Sequence, residues 1–174
     1  MKRNFADLEE HEALHVAIFI EERNARIYEN FAQMFEEFRD AESANVAATF
    51  REMAEEERRH GTLLQERYFQ RFGTKPCNLT DAHVADFIEV PQLEDGEMFI
   101  LGGGLTRRKA LEIALAAEQH ARHYYTELAA VTVDAPLRGL YQHLASFERD
   151  HVEFLEEKLA QSDANTEGEK RVQH

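Results

Sequence analysis

The stretch "AEEERRHGTLL", residues 54–64, decides the fold. It holds Glu57 and His60 at Glu-x-x-His spacing within a long segment of helical periodicity. At about 100° per residue, both side chains share a helix face with Met53 and Leu64. A carboxylate on an apolar face is costly to bury unless it is paired or bound to a metal. Alone, the stretch is open to two interpretations: a solvated charged face, or a pair of metal ligands in a core.

The same spacing recurs in "SFERDHVEFLE", residues 146–156, where Glu148 and His151 share a face with apolar residues. A third pair, Glu12 and His15, lies off the apolar stripe of its own segment, which predicts an outer helix face. Two of the three pairs are therefore candidates for a buried site.

A second pattern, Glu-x6-Tyr, occurs as Glu21 with Tyr28 and as Glu118 with Tyr125. Seven residues make nearly two helical turns, so each glutamate lies on the face of its tyrosine. The Glu-x6-Tyr pattern repeats after 97 residues and the core-facing Glu-x-x-His pattern after 91. The two offsets are similar, and a shorter connection between the helices of the second half accounts for their difference, so the patterns indicate a two-fold internal repeat.

Four helices are predicted, at about residues 7–38, 41–72, 107–131 and 134–160. The first two and the last two are joined by only a few residues, which favours two antiparallel hairpins. The segment 73–105 holds two prolines and a glycine run, and we expect it to be a long crossover. Residues 1–161 then form one all-α four-helix bundle, and the polar tail 162–174 is expected to be disordered.

The composition excludes several classes of function. The chain of 174 residues has a net charge of -14, which argues against nucleic acid and anionic membranes as partners. Its single cysteine, Cys77, excludes a disulfide framework and a cysteine-based metal site. Neither a signal peptide nor a membrane-spanning run is evident, so a cytoplasmic location is expected.

The repeat brings four glutamates and two histidines to the middle of the bundle. One Glu from each of two helices and a Glu-x-x-His from each of the other two is the ligand set of dinuclear carboxylate sites. Four carboxylates balance the charge of two divalent ions. Oxygen and imidazole ligands suit iron or manganese, and zinc stays open as an occupant.

The sequence resembles the rubrerythrin and erythrin branch of the ferritin-like superfamily over roughly residues 3–160. The stretches "ALEIALAAEQHARHYYTELA" and "FREMAEEERRHGTLLQ" carry this resemblance. The opening "RNFADLEEHEALHVAIFIEERNARIYENFA" is similar to the erythrin domain fused to membrane-bound iron exporters. The resemblance implies a ferritin-like four-helix bundle with two iron ions. The implied metal ligands are Glu21, Glu57, His60, Glu118, Glu148 and His151.

The resemblance also implies that Tyr28 and Tyr125 hydrogen-bond the ligand carboxylates. Rubrerythrins carry a further glutamate three residues after the glutamate of the third helix, and it exchanges with a histidine as the iron changes redox state. This chain has Ala121 there and Asn24 at the equivalent position of the first helix, which puts that exchange in doubt.

The implied activity is reduction of hydrogen peroxide or oxygen at the diiron site, as a peroxidase or a ferroxidase. The cysteines of a rubredoxin module are missing, so a peroxidase would need an external electron donor. The alternative is a non-catalytic module that senses or delivers iron. A homodimer is expected, and the long crossover would permit helix exchange between protomers.

Overall fold

A computed structural model describes residues 8–76 and 107–172, with the backbone alone over 162–172. Within these ranges four helices are the regular elements: α1 (Glu10–Glu37), α2 (Ala41–Phe72), α3 (Arg107–Val131) and α4 (Ala135–Val172). The all-α bundle is confirmed. The predicted crossover at 73–105 lies largely outside the described residues, and so does its path.

Short connections with clear end signals fold the helices into two hairpins. Asp40 caps α2, because its Oδ1 accepts a hydrogen bond from the Ser43 amide at 2.9 Å. Gly73 ends α2 with φ of 67°, a left-handed conformation that favours glycine. Asp134 caps α4 by accepting from the Leu137 amide at 2.8 Å, and it also pairs with Arg67 of α2 at 3.0 Å. The α1–α2 and α3–α4 hairpins are therefore fixed by local sequence and tied to each other.

The fourth helix is longer than predicted. It continues to Val172 rather than ending near residue 160, and it covers most of the segment expected to be disordered. That segment holds no proline, and its alanine, glutamate, glutamine and lysine residues favour helix. The boundary of the domain at residue 161 stays a prediction.

Two apolar clusters fill the bundle, one on each side of its middle. One contains Leu14, Leu64 and Tyr141, and the other contains Phe31, Phe50 and Leu155. On each helix the candidate ligands fall between these clusters in sequence. The site is therefore held between two rigid apolar layers. Within the described ranges, none of the helices combines the length and apolar character needed to cross a bilayer.

Candidate metal centre

Each of the four helices contributes a fully buried glutamate to the middle of the bundle. Glu21, Glu57, Glu118 and Glu148 all have 0% exposure, while the two histidines have 6% and 7%. The periodicity of the sequence placed all six on core-facing stripes, and the structure brings them together. The third pair is elsewhere: His15 packs its ring on Tyr68 at 4.7 Å between centroids.

The six side chains form two overlapping groups that could each hold a metal ion. One comprises Glu21, Glu57, His60 and Glu148, and the other Glu57, Glu118, Glu148 and His151. Within each group, one ligand atom from every residue lies within 4.8 Å of the others. Glu57 and Glu148 belong to both groups. Shared carboxylates flanked by one Glu–His pair on each side form the arrangement of a dinuclear site.

The histidines turn the same ring atom inward. Nδ1 of His60 lies 3.3 Å from Oε2 of Glu21. Nδ1 of His151 lies 3.4 Å from Oε1 of Glu57, 3.5 Å from Oε2 of Glu118 and 3.6 Å from Oε2 of Glu148. Each imidazole thus presents one nitrogen to the carboxylate cluster, as a metal ligand requires.

The donor set fits a pair of cations. Both oxygens of Glu57 and of Glu148 are buried, and none of them has a hydrogen-bond partner among the residues that the structure describes. The same holds for Oε2 of Glu21 and of Glu118, and for Nδ1 of both histidines. Buried polar atoms are normally paired, and an unpaired charged one is costly. Two divalent ions would supply the missing partners and neutralise four carboxylates.

Without metal, the cluster must hold protons. Burial and the neighbouring carboxylates, Glu148 above all, raise the pKa of Glu57 well above its ordinary value. Burial, followed by Glu118, does the same to Glu148. Burial raises the pKa of Glu118, but the neighbouring Glu148 and His151 outweigh burial and lower that pKa overall. Burial by itself lowers the pKa of His151. The surrounding carboxylates, of which Glu118 has the largest effect, outweigh burial and raise the pKa to about 10.

Two tyrosines cross the bundle to the carboxylates of the opposite hairpin. The Tyr28 hydroxyl of α1 donates to Oε1 of Glu118 on α3, and the Tyr125 hydroxyl of α3 donates to Oε1 of Glu21 on α1. Burial and the nearby carboxylates raise the pKa of both hydroxyls, so the tyrosines stay protonated and keep donating. The hydrogen bonds implied by the family resemblance are present, and they follow the two-fold repeat.

One contact to a candidate ligand comes from a residue that the repeat does not identify. Oε2 of Glu56 lies 2.8 Å from Nε2 of His151, on the outer side of the ring. Sequence alone leaves Glu56 undecided, because it is one residue off the apolar stripe. A comparison of the two repeats could have singled out this position, because the residue equivalent to Glu56 is Phe147. The Phe147 ring packs on the His60 ring, with centroids 4.9 Å apart.

A pocket of about 330 Å³ between α1 and α2 leads to the site. Its lining includes the candidate ligand Glu57 and, beside it, Gly61. A Cβ atom on Gly61 would lie 3.5 Å from Cβ of Glu21. The pocket and the buried carboxylates are therefore adjacent at Gly61, where no side chain lies between α2 and Glu21.

Among the described residues, the positions three residues after Glu21 and Glu118 supply no further carboxylate. Ala121 is 1% exposed and offers no ligand atom. Asn24 is buried at 2% exposure, and its Nδ2 has no hydrogen-bond partner. The ligand candidates in the described residues are therefore the six of the two-fold repeat.

Comparisons with known proteins agree with this geometry. Residues 12–94 match the rubrerythrin family model. An uncharacterised conserved protein from Magnetospirillum magnetotacticum has a similar structure, with a TM-score of 0.69 and 24% identity over 88% of this chain and 95% of its own. A Thermotoga maritima protein described as a candidate ferritin-like diiron-carboxylate protein also has a TM-score of 0.69 and 24% identity, over 89% of this chain and 97% of its own.

No curated protein is significantly similar to this chain in sequence. At 24% identity the two structures show the fold, and the family match lies on the first hairpin and the residues that follow it. The buried carboxylate–histidine cluster is where that fold holds its metals. The chain therefore has the four-helix fold of a protein described as ferritin-like, and its residues 12–94 are similar to rubrerythrins.

Proposed function

We propose that the protein binds two iron ions and reduces hydrogen peroxide or oxygen with them. The observation that carries this proposal is the set of four fully buried glutamates, one from each helix, with unpaired oxygens facing two histidine nitrogens. Glu57 and Glu148 would bridge the ions. Glu21 with His60, and Glu118 with His151, would each complete one ion's ligand set.

The residues around the cluster supply the other requirements of such a reaction. The pocket beside Gly61, at about 330 Å³, is large enough to hold a small oxidant next to Glu57. The tyrosine hydroxyls hold Glu118 and Glu21 in place from the far hairpin. The apolar clusters on both sides exclude water from the rest of the site.

When bound, a pair of ferrous ions supplies two electrons, which with two protons convert one peroxide into two waters. The 174 residues hold one cysteine, which is too few for the four-cysteine iron site of a rubredoxin. An external one-electron donor protein is therefore part of the proposal for a peroxidase. A ferroxidase would instead take its electrons from incoming ferrous ions.

The second candidate is a module that senses or delivers iron without turnover. The net charge of -14 supports it, since an acidic surface attracts cations. The resemblance to the erythrin domain of iron exporters supports it as well. The manganese or zinc form is a variant of either candidate.

Anaerobic loading of the metal-free protein with ferrous iron tests the proposal. About two ions should bind per chain, and stopped-flow mixing with peroxide and with oxygen should separate the activities. Fast reaction with peroxide indicates a peroxidase, fast reaction with oxygen that consumes added ferrous iron indicates a ferroxidase, and slow reaction with both favours delivery. Failure to bind iron would overturn both candidates. The expected homodimer stays a prediction, which light scattering would check.

A further inference from the structure

The two histidines of the site have different partners on their outer sides. The ring of His151 spans from the inner carboxylates, at Nδ1, to Glu56, whose Oε2 lies 2.8 Å from Nε2. Since a carboxylate accepts hydrogen bonds, this contact keeps a ring proton on Nε2 and makes Nδ1 the nitrogen that gives up its proton when a metal binds. Glu56 thus holds His151 in the tautomer and orientation that a ligand needs.

His60 has no equivalent acceptor among the residues that the structure describes. Its Nδ1 faces Glu21 at 3.3 Å, while its ring packs against the ring of Phe147. The phenyl ring holds the imidazole in place by van der Waals contact, but it has no oxygen or nitrogen to accept a hydrogen bond from the imidazole N–H. Among the described residues, the outer side of the His60 ring is therefore in contact with Phe147 and with no carboxylate.

The difference lies at a single position of the internal repeat. Glu56 directly precedes the ligand Glu57 on α2, and Phe147 directly precedes the ligand Glu148 on α4. Each of these preceding residues reaches across to the histidine of the other hairpin. The repeat has thus kept the position and the contact but changed the chemistry.

A carboxylate that accepts from a ligating imidazole raises the basicity of the ligand and fixes its orientation. Loss of such a partner typically lowers metal affinity 10- to 100-fold. We propose that Glu56 is a positioning residue that makes the two metal positions unequal, with the His151 position the tighter one and the first to fill. This inference rests on the proposed dinuclear site.

Titration of the metal-free protein with Co²⁺, followed by calorimetry and by the visible absorption of the bound ion, tests the inference. The wild-type chain should bind two ions in two resolved steps. Glu56→Ala should weaken the tighter step about 10- to 100-fold and leave the other step unchanged. Glu56→Gln keeps an acceptor oxygen but loses the charge. Its affinity at the tighter step should therefore lie between those of the wild type and Glu56→Ala. Phe147→Glu should strengthen the weaker step.

Glu55→Gln is the matched control, because Glu55 is the exposed neighbour of Glu56 and pairs with Arg59 instead, at 3.5 Å. It should leave both steps unchanged. In the Co²⁺ protein, proton NMR should show the exchangeable Nε2–H signal of His151, and Glu56→Ala should speed its exchange with water. A merely structural role for Glu56 would not change that signal.

The outcomes separate this inference from the function on which it rests. If no Co²⁺ binds to the wild-type chain, the dinuclear site itself is wrong. If two ions bind with equal affinity, or if Glu56→Ala weakens both steps equally, the site stands and the asymmetry is overturned. If Glu56→Ala fails to fold, the Glu56→Gln and Phe147→Glu titrations decide the question.

Discussion

The α1–α2 and α3–α4 hairpins carry the same ligand types at the same repeat positions, yet they differ immediately beside them. Both supply two glutamates, a histidine and a tyrosine that crosses to the other hairpin. Glu56 and Gly61 of the first hairpin correspond to Phe147 and Val152 of the second. In the proposed site the shared positions would hold the metals, and the unshared positions would decide how tightly each metal binds and how an oxidant reaches it.

The largest expected effect concerns the two shared ligands, Glu57 and Glu148. Since both belong to both metal groups, Glu57→Gln and Glu148→Gln should each abolish binding of the pair. Metal at 100 to 1,000 times its dissociation constant stabilises the wild-type fold by about 2.7–4.1 kcal/mol. Each variant should lose this gain, which denaturant unfolding with and without metal would measure. If only one of the two variants still gains stability from metal, Glu57 and Glu148 do not contribute equally, and the two hairpins are not equivalent at their shared ligands.

The crossed tyrosines should have equal effects, because their surroundings repeat. Tyr28→Phe and Tyr125→Phe each remove the donor to a buried carboxylate, which should cost about 1–3 kcal/mol of unfolding free energy. Urea unfolding of the metal-free protein checks this. Tyr124→Phe is the matched control: its hydroxyl donates at 3.0 Å to the neutral carbonyl of Ala13, so about 0.5–1.5 kcal/mol is expected. If the two substitutions lower the free energy of unfolding by different amounts, the two hairpins are not equivalent at the tyrosines.

The metal-free protein should become less stable as pH rises from about 5 to 9. The raised pKa values of Glu57, Glu148 and His151 mean that the folded state keeps protons that the unfolded chain has released. Each such proton lowers stability by at most about 1.4 kcal/mol per pH unit. The lowered pKa of Glu118 affects stability only when the pH is below the ordinary pKa of a glutamate. In that range the stability falls as the pH falls.

Thermal unfolding across this pH range would measure the slope. Glu57→Gln and Glu148→Gln should each remove one proton's share of it, and Glu55→Gln none. Saturating metal should reverse the slope, because binding requires deprotonated carboxylates and releases their protons. A flat profile in the metal-free wild type would contradict the proton uptake.

The sequence predicted the fold and the ligand candidates because both depend on local periodicity. Gly73, Asp134 and Pro136 signal the ends and starts of helices, and they do so in the structure. The predicted end of α4 was wrong: the polar segment after residue 160 has no proline, and polarity alone does not stop a helix. Periodicity along one helix cannot show which residue of another helix it faces.

That limit explains what the sequence analysis missed. The contact of Glu56 with His151 and the pocket beside Gly61 depend on how the hairpins and helices pack. Both positions become informative once they are compared with their repeat partners. Positions at which the two halves of the repeat differ therefore indicate residues with a role in only one hairpin.

The smallest expected effect concerns the pocket at Gly61. Because an added Cβ would be in ordinary contact with Glu21 at 3.5 Å, Gly61→Ala should fit and, by helix propensity, stabilise the protein by about 1 kcal/mol at most. Gly61→Val copies the side chain of Val152 and adds two methyl groups beside the pocket. It should slow the oxidation of the ferrous protein by peroxide several-fold and leave the number of bound ions at two. Stopped-flow absorption measures that rate, with Gly139→Val, on an open surface of α4, as the control substitution. An unchanged rate in Gly61→Val would mean that the oxidant reaches the site by another path, and the hairpins would then differ in metal tuning alone.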